Sequence, residues 1–252
     1  MTTWIFLRGL TRDSRHWGSF LGDFQRALPD HNIITLDLAG NGTLHLQTSR
    51  TRVQAMVRDC RAQLLVQQVK PPYHLLALSL GAMVALAWGQ AYPREVAGQV
   101  LINTSLRPLN PFFQRLLPAN YFQLMYLLLS NAAPREWERA IWHMTSNRQD
   151  ASMLPLWVAW RRAKPVSRLN GLRQLVAAAQ FRAPPDSPIT PTLLLASVQD
   201  QLVSVLCSRK LARRWQCPLI EHPSAGHDIP LDEGPWVAAQ VQEWFLKLQN
   251  SD

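Results

Sequence analysis

Ser79 lies in Ala77-Leu78-Ser79-Leu80-Gly81, with a small residue two positions away on either side. Such a serine suits nucleophilic catalysis if the chain turns sharply there from strand to helix and presents the hydroxyl at the turn. The turn is tight enough that larger side chains at 77 and 81 would collide, and a bare Gly81 lets strand and helix approach. A serine hydroxyl is a weak nucleophile at neutral pH. It needs a base within hydrogen-bond reach, and a third group must orient that base. Two polar loops supply candidates, Asp200 within residues 198–204 and His227 within residues 223–230. Asp228 adjoins His227, but neighbouring side chains rarely reach each other's ring nitrogens, which favours Asp200 as the orienting acid. His143 and His222 have no partners at metal-ligand spacing, so no metal site is expected. Cys207 and Cys217 read as packing residues.

These residues can meet only if the elements between them bring their loops to one place. Apolar runs at 4–7, 33–36, 75–78, 100–103, 192–197 and 219–222 read as short buried strands. Helical spacing of apolar residues recurs between and after them. One helix starts near Trp17, with Phe20, Leu21, Phe24 and Leu28 on one face. Others cover 49–68, the stretch after Ser79 as far as Tyr92-Pro93, 204–215, and a last segment carrying Val237, Val241, Trp244 and Leu248. Continuous apolar strands alternating with helices predict an α/β fold with a parallel sheet covered on both faces. The C-terminal strand ends of such a sheet share one edge, and Ser79, Asp200 and His227 each follow a strand end. From 107 to 182 the pattern changes. No strand is legible there, and helical stretches rich in tryptophan are cut by prolines at 108, 111, 118, 134, 155 and 165. The proline-rich stretch 183–188 closes the segment like a linker. The expected organisation is a core formed by 1–106 and 189–252, interrupted by a helical insertion at 107–188.

Composition narrows the function classes. The chain has 252 residues, enough for one large α/β core with an insertion. Of its formal charge of +9, +7 falls between Asn103 and Asp186, where eleven basic residues face four acidic ones. No helix-turn-helix, zinc-finger or aromatic RNA-binding signature accompanies that charge, so no nucleic-acid partner is expected. No run approaches the roughly 20 apolar residues of a membrane span. The N-terminus runs straight into a strand pattern without a signal segment. Three cysteines cannot all pair, and reduced thiols in the cytoplasm are the simplest account.

The chain resembles the α/β-hydrolase fold serine hydrolases over nearly its whole length apart from the middle insertion. Four separate pieces carry the likeness, in the family's order. Asp37-Leu38-Ala39-Gly40-Asn41-Gly42 is similar to the D-x-x-G-x-G turn, and Ala77 to Gly81 is similar to the nucleophile elbow. Asp200-Gln201-Leu202-Val203 is similar to the acid loop, and Gly226-His227-Asp228-Ile229-Pro230 to the histidine loop. The resemblance implies an α/β-hydrolase fold, with a mostly parallel central sheet, helices on both faces and an inserted helical cap. It implies that Ser79 attacks an acyl carbonyl, that His227 takes and returns the proton, and that Asp200 holds the imidazole. The backbone N–H groups of Leu80 and Leu10 would receive the oxyanion. It implies a carboxylic ester as substrate and no cofactor. Acyl thioesters or carbon–carbon bonds are alternatives within reach of the same machinery, and a non-catalytic binding protein of this fold is a more distant one.

The likeness has one departure at the site, Arg8-Gly9 where many relatives have His-Gly. Gly9 keeps the backbone donor, whereas Arg8 brings a cation near the mouth. There it would meet an anionic substrate group or be held by an aspartate or a carbonyl. Trp17, with His16, is expected to line or support this first loop. The insertion is expected to form a lid and acyl pocket, with Phe113, Tyr121, Phe122, Met125, Trp142 and Trp157 as candidates. Its basic group, including Arg161, Arg162 and Lys164, reads as a solvated helix face or as a dock for an acyl-carrier protein or coenzyme A. A cationic helical lid is similar to the layout of the esterases that release pimeloyl methyl ester from its carrier.

Overall fold

Alternating apolar residues in six short strands determine how the chain folds, because successive side chains on a strand point to opposite faces. In the computed structural model, which describes residues 2–184 and 186–250, the strands are β1 (Thr3–Leu7), β2 (Asn32–Leu36), β3 (Tyr73–Leu78), β4 (Val96–Ile102), β5 (Thr192–Ser197) and β6 (Leu219–His222). Met1 and Pro185, the latter in the expected linker, lie outside the described residues. The strands form one sheet in the order β2-β1-β3-β4-β5-β6, with every neighbouring pair parallel. Ile5, Leu7, Leu75, Ala77, Leu101 and Leu194 face one core, while Trp4, Phe6, Leu76, Leu78, Val100 and Leu193 face the other. The first core is covered by α2 (Val53–Val66), α3 (Leu80–Ala91) and α9 (Leu206–Trp215), the second by α1 (Phe20–Ala27) and α10 (Gly234–Gln249). All six expected strands are present, and the chain has an α/β-hydrolase fold.

Some boundaries differ from expectation, among them α2, which spans Val53–Val66 where 49–68 was expected. β4 begins four residues early, at Val96, because the Gln99 amide nitrogen finds a partner inside the sheet, donating to Thr192 Oγ1 at 2.9 Å. A polar residue there does not interrupt the strand. The helix expected from Trp17 is split into a 3₁₀ turn at Ser14–Trp17 and α1, separated by Gly18 at φ 51°.

Between β4 and β5 the chain forms α4 (Phe112–Arg115), α5 (Tyr121–Leu129), α6 (Pro134–Thr145), α7 (Leu154–Ala163) and α8 (Arg168–Gln180). They have a small apolar centre of their own, at Leu127, Ala140, Ile141 and Met144. Arg107 and Arg182 form a bridge at the base of this segment, where Ala183 N–H also donates to the Arg107 carbonyl. Of the expected pocket candidates, Tyr121 lines the main cavity, but Phe113, Phe122 and Met125 are exposed. Trp142 and Trp157 instead pack on each other, ring centroids 5.3 Å apart, inside the helical segment. Among the described residues no helix is long and apolar enough to cross a membrane.

Candidate active site

Parallel strands release their chains at one edge, and the loops after β1, β3, β4, β5 and β6 build the site there. β3 ends at Leu78 and α3 begins at Leu80, leaving Ser79 alone at the turn with φ 57° and ψ −115°. A non-glycine residue held in such a region costs about 1–3 kcal/mol, which surrounding structure must supply. Here the Ser79 N–H donates to the Ile102 carbonyl of β4 at 2.9 Å, while the Ser79 carbonyl accepts the Ala82 N–H at 3.0 Å. The glycine two residues on is required. A Cβ at Gly81 would lie 2.4 Å from the Leu7 carbonyl oxygen and 2.7 Å from that of Arg8. A Cβ on Gly9 would lie 3.2 Å from that of Ser79, so the first loop passes close to the serine.

His227 and Asp200 come together from the loops after β6 and β5. The imidazole Nδ1 is 2.7 Å from Asp200 Oδ2, with the two side chains 4 % and 1 % exposed. Asp200 Oδ1 accepts the N–H groups of Leu202 and Val203 at 2.8 and 2.9 Å, so the carboxylate is held at both oxygens. A proton on Nδ1 shared with Asp200 leaves Nε2 as the basic nitrogen, and Nε2 is buried without a hydrogen-bond partner. Ser79 and His227 line the same cavity of about 370 Å³, walled on the other side by α4, α5, α6 and α8. The Ser79–His227 hydrogen bond itself is open in this structure. Such bonds are often long before substrate binds. Leu10 and Leu80 both border the cavity.

Asp228 serves a different partner. Its carboxylate takes both terminal nitrogens of Arg8, one at 3.0 Å, and the guanidinium lies over the Trp17 ring, 4.7 Å from its centroid. Burial works to raise the Asp228 pKa, but Arg8 beside it outweighs burial and holds it below the usual range. Arg8 still lines the cavity, through a side chain committed to Asp228. Trp17, expected among the substrate-binding residues, does not reach the cavity. It is 1 % exposed and packs on Phe6 and Phe20, because its bulk completes the core beneath Arg8.

Arg161, expected as a docking residue on a solvated helix face, is also placed otherwise. Its guanidinium is 10 % exposed and bonds the carboxylate of Glu138, itself buried on α6. The second oxygen of Glu138 accepts Arg12 Nη1 at 2.5 Å. Arg161 is therefore spent on holding α7 to α6 and to the first loop. Arg162 is exposed and Lys164 half-buried. Arg12, Glu138 and Asn103 were not singled out by sequence reasoning. Asn103, at φ 45°, donates to the His227 carbonyl at 2.8 Å and accepts the Ser197 N–H at 2.9 Å, joining β4, β5 and the histidine loop. An asparagine ending an apolar run, able to take a left-handed backbone, was its signal. For Glu138 the signal was an acid three and four residues before Ile141 and Trp142, on the buried side of a helix. Among the described residues, no group of three His, Cys, Asp or Glu side chains is placed to hold a metal ion.

Known proteins share this layout. A thermophilic esterase from Thermogutta terrifontis superposes over 98 % of this chain and 90 % of its own, at a TM-score of 0.74 and 20 % identity. A hydrolase from Pseudomonas aeruginosa PA01 does so over 97 % and 89 %, at a TM-score of 0.77 and 17 % identity. At such identities the likeness is one of fold. In sequence, the uncharacterized protein YqjL of Bacillus subtilis (strain 168) is 26 % identical over 104 residues, which span 41 % of this chain and 40 % of that one. Residues 4–240 match the Alpha/beta hydrolase family as a whole, and with that match across the core and the inserted helices alike, the chain belongs to this family.

Proposed function

We propose that this protein is a serine hydrolase that cleaves a carboxylic ester through an acyl-serine intermediate. The observation that carries the reading is the buried His227–Asp200 pair, whose free Nε2 and the strained Ser79 line one cavity. In this reading Ser79 Oγ attacks the acyl carbonyl as its proton passes to His227 Nε2. The imidazolium then gives that proton to the leaving alcohol, and water repeats the cycle to release the acid. Asp200 keeps the ring in the right tautomer and stabilises its charge. The oxyanion is met by the N–H groups of Leu10 and Leu80, the latter also at the positive end of α3. Each such donor is worth about 3 kcal/mol of transition-state stabilisation. Residues 107–188 act as the cap, closing the cavity with apolar side chains and setting the acyl group it accepts.

A serine-directed fluorophosphonate probe should label the protein at Ser79, and Ser79→Ala should abolish both labelling and hydrolysis of p-nitrophenyl esters. Asp200→Asn should lower kcat by about 10³–10⁴-fold, since the imidazole would lose its tautomer. A wild-type chain that takes no label and turns over no short ester is not a serine hydrolase.

A further inference from the structure

The cavity wall is rich in donors and poor in acceptors. Three buried cations stand at or behind it, Arg8, Arg12 and Arg161, against two buried carboxylates, Asp228 and Glu138. Arg8 takes Asp228, and the other two arginines share Glu138. Asp13 and Arg15 pair with each other, and His16 contributes no charge near neutrality, because burial first and Arg12 second lower its pKa to about 4. Within the cluster of Arg8, Arg12 and Arg161 one positive charge is left over, the buried Asp200 carboxylate being engaged by His227 instead. Arg12 has a whole terminal nitrogen to spare, whereas both terminal nitrogens of Arg8 are taken by Asp228. It is 6 % exposed and lines the cavity. Its Nη1 is engaged by Glu138 and His16, and its plane rests on Trp157 at 4.0 Å, but its Nη2 finds no acceptor. Three further donors of the same wall are unpartnered, Arg8 Nε, Arg115 Nε and Tyr121 Oη. Arg115 has only the carbonyls of Ala178 and Ala179 and no carboxylate. A buried guanidinium with an unused N–H is costly unless something completes it.

We propose that the cavity takes an ester that also carries a carboxylate, a hemiester of a dicarboxylic acid or its equivalent on the alcohol side, with the carboxylate seated on Arg12. The inference rests on the serine-hydrolase reading for its ester and on the charge balance for its anion. A carboxylate matches the surplus charge of the Arg12 cluster, and the apolar remainder of the wall suits a short methylene chain.

The test compares isosteric pairs. On the acyl side, p-nitrophenyl hydrogen glutarate is set against p-nitrophenyl valerate. On the alcohol side, 4-carboxyphenyl butyrate is set against phenyl butyrate. In at least one pair the anionic ester should have the higher kcat/KM, by about 10- to 100-fold, as a charge-assisted hydrogen bond provides. Arg12→Gln should reduce that ratio about tenfold or more, and Arg12→Lys, which keeps the charge for Glu138 but loses the fork, should reduce it less. A merely structural arginine would leave the ratio where it was. Hydrolysis of all four esters with ratios at or below one overturns the proposal and leaves the hydrolase reading intact. If no ester is turned over, the hydrolase reading fails, and calorimetry with methyl hydrogen glutarate against methyl valerate then decides the anion site. Tighter binding of the hemiester, lost in Arg12→Gln, supports it, and equal or no binding overturns it.

Discussion

His227 and Asp228 are adjacent in the chain, yet the two side chains belong to different networks, and the environment of each decides its charge. Asp228 remains a carboxylate because Arg8 faces it in a site closed to water, whereas buried histidines are driven the other way wherever burial outweighs the anion nearby, as it does for His16 despite Asp13. His16, beside Arg12, and His74, between Trp4 and Phe245, both have pKa values lowered by burial to about 4 from an ordinary 6.5. The sign follows from linkage. Above pH 6.5 neither folded nor unfolded chain protonates them, and their effect on stability is nil. As the pH falls from 6.5 towards 4 only the unfolded chain takes up the protons, so stability drops, by about 3 kcal/mol for one such histidine. Below 4 both states are protonated and this loss stops. Urea unfolding at pH 7, 5.5 and 4.5 should show the decline, and His74→Phe should make it shallower. An unchanged slope in that variant would mean that His74 does not stay neutral in the fold.

At the scale of elements, the turn between β3 and α3 shows what sequence can and cannot convey. The apolar run ending at Leu78, the serine and Gly81 were enough to expect a sharp turn, because tight turns restrict residue types locally. The surface that Gly81 meets comes from β1, more than seventy positions away, and only the folded chain shows it. Gly81→Ala should drive a methyl into the Leu7 and Arg8 carbonyls, destabilising by about 1–3 kcal/mol. The first loop would shift with it and, in the proposed mechanism, carry the Leu10 N–H away from the oxyanion, so hydrolysis of p-nitrophenyl esters should fall further than thermal stability suggests. Equal activity with a lowered Tm would contradict that linkage. The same division holds elsewhere. All six strands were legible from runs of Ile, Leu and Val, and Asp200 and His227 from their places after strand ends. Arg12, Glu138 and Asn103 were not, because each is defined by a partner distant in sequence. Trp17 and Arg161 were misplaced for a related reason. A tryptophan or arginine reads alike whether it faces a cavity, a core or water, until its neighbours are known.

Across the whole molecule, the inserted helices are held to the core by many polar contacts around the cavity, among them those of Gln174 and Asn170 on α8 with Thr11, Asn41 and Ser49. On one side Glu138 binds Arg12 of the first loop. On the other, Asp232 accepts the N–H groups of Asn147 and Gly226 at 2.9 and 2.7 Å, joining the end of α6 to the histidine loop. Glu138→Gln would leave Arg12 and Arg161 repelling each other with no carboxylate between them. Trypsin should then cut between 107 and 182 sooner than in the wild type, while fragments containing β1–β4 and β5–β6 persist. Cleavage at the wild-type rate would show that this contact does not hold the helices in place. The bridge between Arg107 and Arg182 has a broader consequence. The segment leaves β4 and returns to β5, which are hydrogen-bonded neighbours, so its two ends meet at a pinched neck however far it ventures between them. Lengthening a connection whose ends are already joined costs little, about 0.6 kcal/mol per doubling for a flexible one. Evolution, or an engineer, could therefore exchange everything beyond that neck for a segment of another size and chemistry. The serine, its histidine and their sheet would be inherited unchanged, and the choice of substrate would be rewritten.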